Sequence, residues 1–239
     1  LKVALYDAQL SCVAQKSAPV EYIRQGEFIE FDAEKYYKTL VTLLRELTKE
    51  SPCKVTQIGF TGQAESLVCL DKAGKPLMNA ISWMDERSGA ECDELAKQFS
   101  GDLCHQKTGQ QAILPTWPAT KILWLQKNRR EIFDNVAAYM LLKDYIVYCL
   151  TGSMCGDMSI ATFSFYFDIY NKCYWQEMLA AIGVSESQLP KLCEPCSVAG
   201  GLLLIDPRGV TDIIGISLVA IVVVWQFVEK KSKSKKVSA

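Results

Sequence analysis

Apolar and polar side chains alternate at the start of the chain. Lys2 to Tyr6 alternates, Ser11 to Gln15 suits a strand that pairs with it, and Glu27 to Phe31 follows as a third strand. At Asp32 the period lengthens to that of a helix. Ala33, Tyr36, Tyr37, Leu40, Val41, Leu44 and Leu47 fall three or four apart, which predicts one buried face. Asp32 can cap the free amides, Glu34 suits the positive end of the dipole, and Pro52 stops the helix. Val55 to Thr61 reads as a mostly apolar strand ending in a glycine-containing turn.

A hairpin comes next. Ser66 to Leu70 is apolar, Asp71-Lys72-Ala73-Gly74 has turn chemistry, and Asn79 to Trp83 is the returning strand. Helices are expected over Ser88 to Phe99, over Ala119 to Gln126 behind Pro118, over Lys143 to Leu150, and over Trp175 to Ile182, which Gly183 ends. Val136 to Leu141 is a further strand. Strands and helices alternate after an antiparallel opening, which predicts an α/β layer fold.

Near the far end the pattern changes in kind. Residues 213–228 read IIGISLVAIVVVWQFV, sixteen positions without a charge, and a lysine cluster follows Trp225. Two readings stand. It is a short membrane-spanning helix with interfacial anchors, or a buried core segment rich in β-branched residues.

Composition narrows the function. The chain has 239 residues, 49% hydrophobic and 22% charged, enough for a real core. Net charge is -1, but residues 230–239 carry five lysines and no acid, so the body is mildly acidic and the tail basic. That argues against a nucleic-acid partner. A single histidine, His105, excludes a multi-histidine metal site, and its polar surroundings suggest a surface position. Ten cysteines with no signal-like opening favour reduced thiols in the cytosol. Cys193-Glu194-Pro195-Cys196 is a lone C-x-x-C with no second pair at zinc spacing. No G-x-x-x-x-G-K-[ST] loop is present.

One segment is more specific. Gly59-Phe60-Thr61-Gly62-Gln63, then Asp71 with Gly74 and Pro76, then Trp83-Met84-Asp85-Glu86-Arg87 stand in order. Thr108-Gly109, Lys121-Ile122-Leu123-Trp124, Leu142-Lys143-Asp144-Tyr145, Leu150-Thr151-Gly152 and Asp157-Met158-Ser159 continue it. This order resembles the N-terminal domain of the FGGY carbohydrate kinases, xylulokinase-like or glycerol-kinase-like. The resemblance implies an actin-like, ribonuclease-H-like α/β domain over residues 1–201, incomplete at its start. It leaves 202–212 as a linker, 213–228 as the apolar segment, taken as a C-terminal helix, and 229–239 as a basic tail. It implies transfer of the γ-phosphoryl of MgATP to a hydroxyl of a sugar or polyol.

Three family features have no counterpart here: the opening D-x-G-T turn, the glycine-rich segment with the catalytic aspartate, and the second domain. Asp206 lacks that context. The expectation is therefore a sugar-binding half, inactive alone, with no tightly held cofactor and no catalytic residue of its own. Two alternatives remain: a membrane-anchored binding module without catalysis, and a misjoined reading frame without independent function. The domain is placed in the cytosol whether or not 213–228 anchors it.

The candidate substrate residues are Gln63, Glu65, Trp83, Asp85, Arg87 and Thr116. Gln63 and Glu65 follow a predicted strand, where α/β sheets place ligand groups, and an amide and a carboxylate both hydrogen-bond hydroxyls. The resemblance implies substrate contact at Glu65, with Ala64 in place of an arginine. Trp83 is either an apolar wall for a sugar or core packing. Asp85 and Arg87 either bind a polyol or pair with each other. Thr116-Trp117 corresponds to a pocket-lining aromatic segment in glycerol-kinase-like members.

Overall fold

A computed structural model describes residues 1–49, 51, 55 and 58–193. In chain order β1 is Lys2–Tyr6, β2 Cys12–Ser17, β3 Ile23–Gln25, β4 Phe28–Phe31 and α1 Ala33–Lys49. Then come β5 Leu67–Leu70, β6 Ala80–Ile81, α2 Gly89–Gln98, α3 Gly101–Thr108, α4 Pro118–Asn128 and α5 Arg130–Phe133. The described residues finish with β7 Ala138–Leu141, α6 Leu142–Thr151, β8 Cys155–Asp157, α7 Met158–Ala161, β9 Phe167–Asp168, β10 Cys173–Tyr174, α8 Gln176–Ala181 and β11 Lys191–Cys193.

The central sheet runs β3-β4-β6-β5-β7 and every neighbouring pair is antiparallel. Side chains alternate across a strand, and β5 divides accordingly. Leu67 and Cys69 join a core with Leu95, Ile122, Leu125, Tyr139 and Met178. Val68 and Leu70 join a second core with Phe31, Leu40, Leu47, Met140 and Tyr145. Helices α2, α4 and α8 thus cover one face, and α1 with α6 covers the other. This explains why β5 and β7 are apolar throughout and every residue in them is buried.

Helix α1 starts as expected, with the Asp32 carboxylate accepting from the Lys35 amide at 2.9 Å. Its fully buried positions are Ala33, Leu40, Leu43 and Leu47; Tyr36, Tyr37, Val41 and Leu44 are half-buried. The stripe is rotated slightly toward Leu43, because β1 and β2 also pack on this helix. The hairpin turn needs Gly74, whose φ of +75° is strained for other residues and whose missing side chain leaves room for the Tyr148 hydroxyl.

The strand expected from Val55 to Thr61 does not form where it is described. Val55 and Ile58 to Thr61 carry no strand pairing, and Ile58 is 52% exposed. An apolar run makes a strand only beside a partner with free amides and carbonyls, and among the described residues it has none. Helix α3 was not expected, since its apolar residues are sparse. The Ser100 hydroxyl caps it and Gly109 closes it in the left-handed conformation. His105 lies on it, exposed as anticipated. The antiparallel β9–β10 ladder and the parallel β8–β11 pair were also unanticipated. The apolar segment 213–228, the rest of the C-x-x-C and Pro52 lie outside the described residues. No helix among the described residues is long and apolar enough to cross a membrane.

Tyr139 is buried in the first core, and its hydroxyl has no hydrogen-bond partner among the described residues. Such a group costs about 1–3 kcal/mol. Tyr139→Phe should therefore raise stability by about 1 kcal/mol, read as a higher urea midpoint at unchanged slope. A lower midpoint would mean that the hydroxyl is satisfied in solution.

Candidate functional site

Three chain segments meet at one end of the central sheet: the lead into β5, the exit from β6, and the approach to α4. The backbone of Trp83 sits where they cross. Its amide donates to the Ser66 hydroxyl at 3.2 Å, and that hydroxyl donates to Gln63 Oε1 at 2.7 Å. Gln63 Nε2 in turn donates to the Tyr22 hydroxyl at 3.0 Å. On the other side, Thr116 Oγ1 donates to the Trp83 carbonyl at 2.8 Å. With both backbone groups held, Trp83 is nonetheless 45% exposed. Trp83 is not core packing.

Behind Trp83 lies a buried ionic network. Arg87 Nε donates to Asp85 Oδ1 at 2.8 Å, and its NH2 group donates to Asp85 Oδ2 and to Glu30 Oε1, each at 2.7 Å. Asp85 Oδ2 also accepts the Ile29 amide at 2.6 Å, tying the loop after β6 to its neighbouring strand β4. The guanidinium carbon lies 4.2 Å from the centre of the Phe28 ring and 4.9 Å from that of Trp124. Burial alone would push the guanidinium pKa down, but hydrogen bonds to Asp85 and Glu30 outweigh it and hold the charge. Asp85 is 0% and Arg87 7% exposed. Of the two sequence readings, mutual pairing is the one the geometry displays; both side chains are committed to each other.

Glu65 stands before β5 and is half-buried. Burial raises its carboxyl pKa; backbone amides and the field of Lys121 pull it partly back. Thr116 is half-buried, and Trp117 next to it is not in the site. Its ring stacks on Phe165 at 5.9 Å and its indole N–H donates to the Ala112 carbonyl. Gln63, Glu65, Trp83 and Thr116 therefore share one end of the sheet, with Asp85 and Arg87 as its foundation.

Sequence reasoning missed Lys121. It is fully buried, donating to the carbonyls of Ser82 at 2.8 Å and Thr116 at 2.7 Å. Burial pushes its pKa down to about 7, against the opposing fields of Asp85 and Glu65. The available signal was its place in α4: Lys121 stands among Ala119, Ile122 and Leu123 on an apolar helix, where a lysine is rarely buried without a purpose.

A family model for the N-terminal domain of the FGGY family of carbohydrate kinases matches residues 1–209. This chain belongs to that family. A glycerol kinase from Janthinobacterium sp. (strain Marseille) is 30% identical over 81% of this chain and 40% of its own length. A xylulose kinase from Klebsiella pneumoniae is 33% identical over 72% of this chain and 35% of its own. Among solved structures, a gluconate kinase from Lactobacillus acidophilus superimposes with a TM-score of 0.77 at 26% identity, covering 82% of this chain and 40% of that one. The chain thus spans about 40% of the length of the FGGY relatives it matches. The mixed α/β layering expected from sequence is the fold of these sugar kinases.

No group of three or more His, Cys, Asp or Glu side chains among the described residues is arranged to hold a metal ion. The nearby carboxylates of Asp85 and Glu30 are already bound to Arg87, so no transfer step is routed through these residues.

Removing one partner of a buried ion pair leaves the other uncompensated, at about 3–5 kcal/mol. Arg87→Met should lower the melting temperature sharply, and adding Asp85→Asn should recover part of the loss. A mild effect of the single change, with no recovery in the double, would show that the network is not what holds the loop.

Proposed function

We propose that this chain supplies the sugar-binding part of an ATP-dependent carbohydrate kinase, taking a sugar or polyol at the sheet end built by Gln63, Glu65, Trp83 and Thr116. The observation that carries this reading is Trp83: an indole held rigidly at both backbone groups yet left open, beside a half-buried carboxylate. A polyol presents C–H faces and hydroxyls. The ring offers an apolar wall, while Glu65 and the Gln63 amide offer hydrogen-bond partners. Asp85 and Arg87 take the role of support rather than contact.

Family membership agrees with this. Relatives named as glycerol and xylulose kinases act on polyhydroxy compounds, which makes that class the first to test. Phosphoryl transfer, and the MgATP it consumes, are proposed for the family-length protein. Residues 1–201 are proposed as the sugar-binding domain, followed by a linker over 202–212. A cytoplasmic setting is proposed as well; the eight described cysteines are all free thiols, which suits a reducing compartment.

The test is binding by calorimetry with glycerol and D-xylulose. Glu65→Ala should weaken the sugar that binds by roughly 10- to 150-fold, since losing a charged hydrogen-bond partner costs about 1.5–3 kcal/mol. Unchanged affinity would remove Glu65 from the site.

A further inference from the structure

Lys121 is an expensive residue to bury. A lone ammonium in an apolar helix face loses its hydration, and natural cores almost never accept one unless it is paired or used. Here it is fully buried in α4. Its bonds go to two backbone carbonyls that belong to two different site loops. Ser82 immediately precedes Trp83, and Thr116 holds the Trp83 carbonyl. One nitrogen therefore ties the approach to α4 to the exit of β6 at the residue that carries the open indole.

We propose that Lys121 is the positioning residue of this site: its side-chain nitrogen locks the Ser82–Trp83 and Thr116 loops together, and its positive charge faces Glu65 and Asp85. The proposal rests on the sugar-site reading and adds a means of control to it.

Three charged groups face Lys121: Asp85 and Arg87 after β6, and Glu65 before β5. From α2, the Cys92 thiol reaches the neighbouring Thr120, and burial pushes its pKa up to about 11, so it stays neutral. Asp85 and Glu30 share the single Arg87 guanidinium, so that network keeps a fixed excess of one negative charge. The net field at Glu65 thus depends on whether Lys121 holds its proton, and that proton is lost as pH rises through about 7. The linkage sign follows. Between pH 7 and the ordinary lysine value of 10.5 the unfolded chain binds the extra proton, so this group makes stability rise with pH across that window.

The experiment uses the full chain labelled with 5-fluorotryptophan, the Trp83 resonance being assigned by its loss in Trp83→Phe. In the unaltered protein that resonance should shift with pH, with a midpoint near 7, and Lys121→Met should abolish the shift. The Glu65 carboxyl carbon should titrate at higher pH in Lys121→Met, because the opposing charge is gone. Affinity for glycerol or D-xylulose should fall about tenfold, the scale of a lost charged hydrogen bond. A merely structural lysine would alter melting and leave both titrations in place. The unaltered protein alone keeps the idea falsifiable if the variant does not fold: a Trp83 resonance flat from pH 5 to about 9 overturns it. Titrations identical with and without the amine overturn it too, and sugar binding that survives alongside them leaves the sugar reading intact. The expected titrations without binding of either sugar support the clamp and remove the sugar reading instead.

Discussion

The guanidinium of Arg87 is the point from which the site is built. It joins Asp85, two residues away, to Glu30 on a strand far back in the sequence, and it lies against Phe28 and Trp124. A buried charge of this kind is tolerable only when each hydrogen bond is made. Asp85 meets that demand by also accepting the Ile29 amide. The consequence is geometric: a loop, usually the most variable part of a fold, is fastened to both β4 and α4. Trp83 inherits that rigidity.

The sheet provides the rest. Strand β5 is buried on both faces, so its lead-in residues Gln63, Glu65 and Ser66 emerge from a fixed origin. Ser66 links the lead-in to Trp83, and its carbonyl accepts the Leu142 amide at the start of α6. Pro118 opens α4, and the first turns of that helix carry Thr120 and Lys121 back toward the same end. Thr120 shares its hydroxyl with Ser88, just before α2, at 2.9 Å. Four secondary elements thus converge on one small patch. A hydroxyl-rich ligand pays little ordering entropy when its partners are already held in place.

Much of this was legible in the chain. The change of period at Asp32 located α1, the Asp71–Gly74 turn located the β5–β6 hairpin, and Pro118 located α4. Gln63, Glu65, Trp83 and Thr116 lie at one end of the sheet as the family order implies, but Gln63 and Glu65 lead into β5 and do not follow the expected Val55–Thr61 strand. What was not legible depends on partners distant in sequence. Val55 to Thr61 has the pattern of a strand, but its described residues pair with no neighbour among the described residues. Helix α3 is set by Ser100 and Gly109 rather than by an apolar stripe. The choice between pairing and substrate binding for Asp85 and Arg87 turned on Glu30, Phe28 and Trp124, none of which local spacing could bring near. Lys121 hid among apolar neighbours, where its charge reads as an exception until its two carbonyl partners are seen.

The central claim is that the buried Arg87 network makes the Trp83 loop as firm as the sheet beneath it. Native-state hydrogen exchange tests it directly, because a loop that opens locally exchanges with a free energy far below that of global unfolding. The amides of Ile29, Trp83 and Arg87, which donate to Asp85 or Ser66, should exchange only through global unfolding, in step with the β5 amides. Exchange of these three by a separate, low-energy opening, while β5 stays protected, would contradict the account.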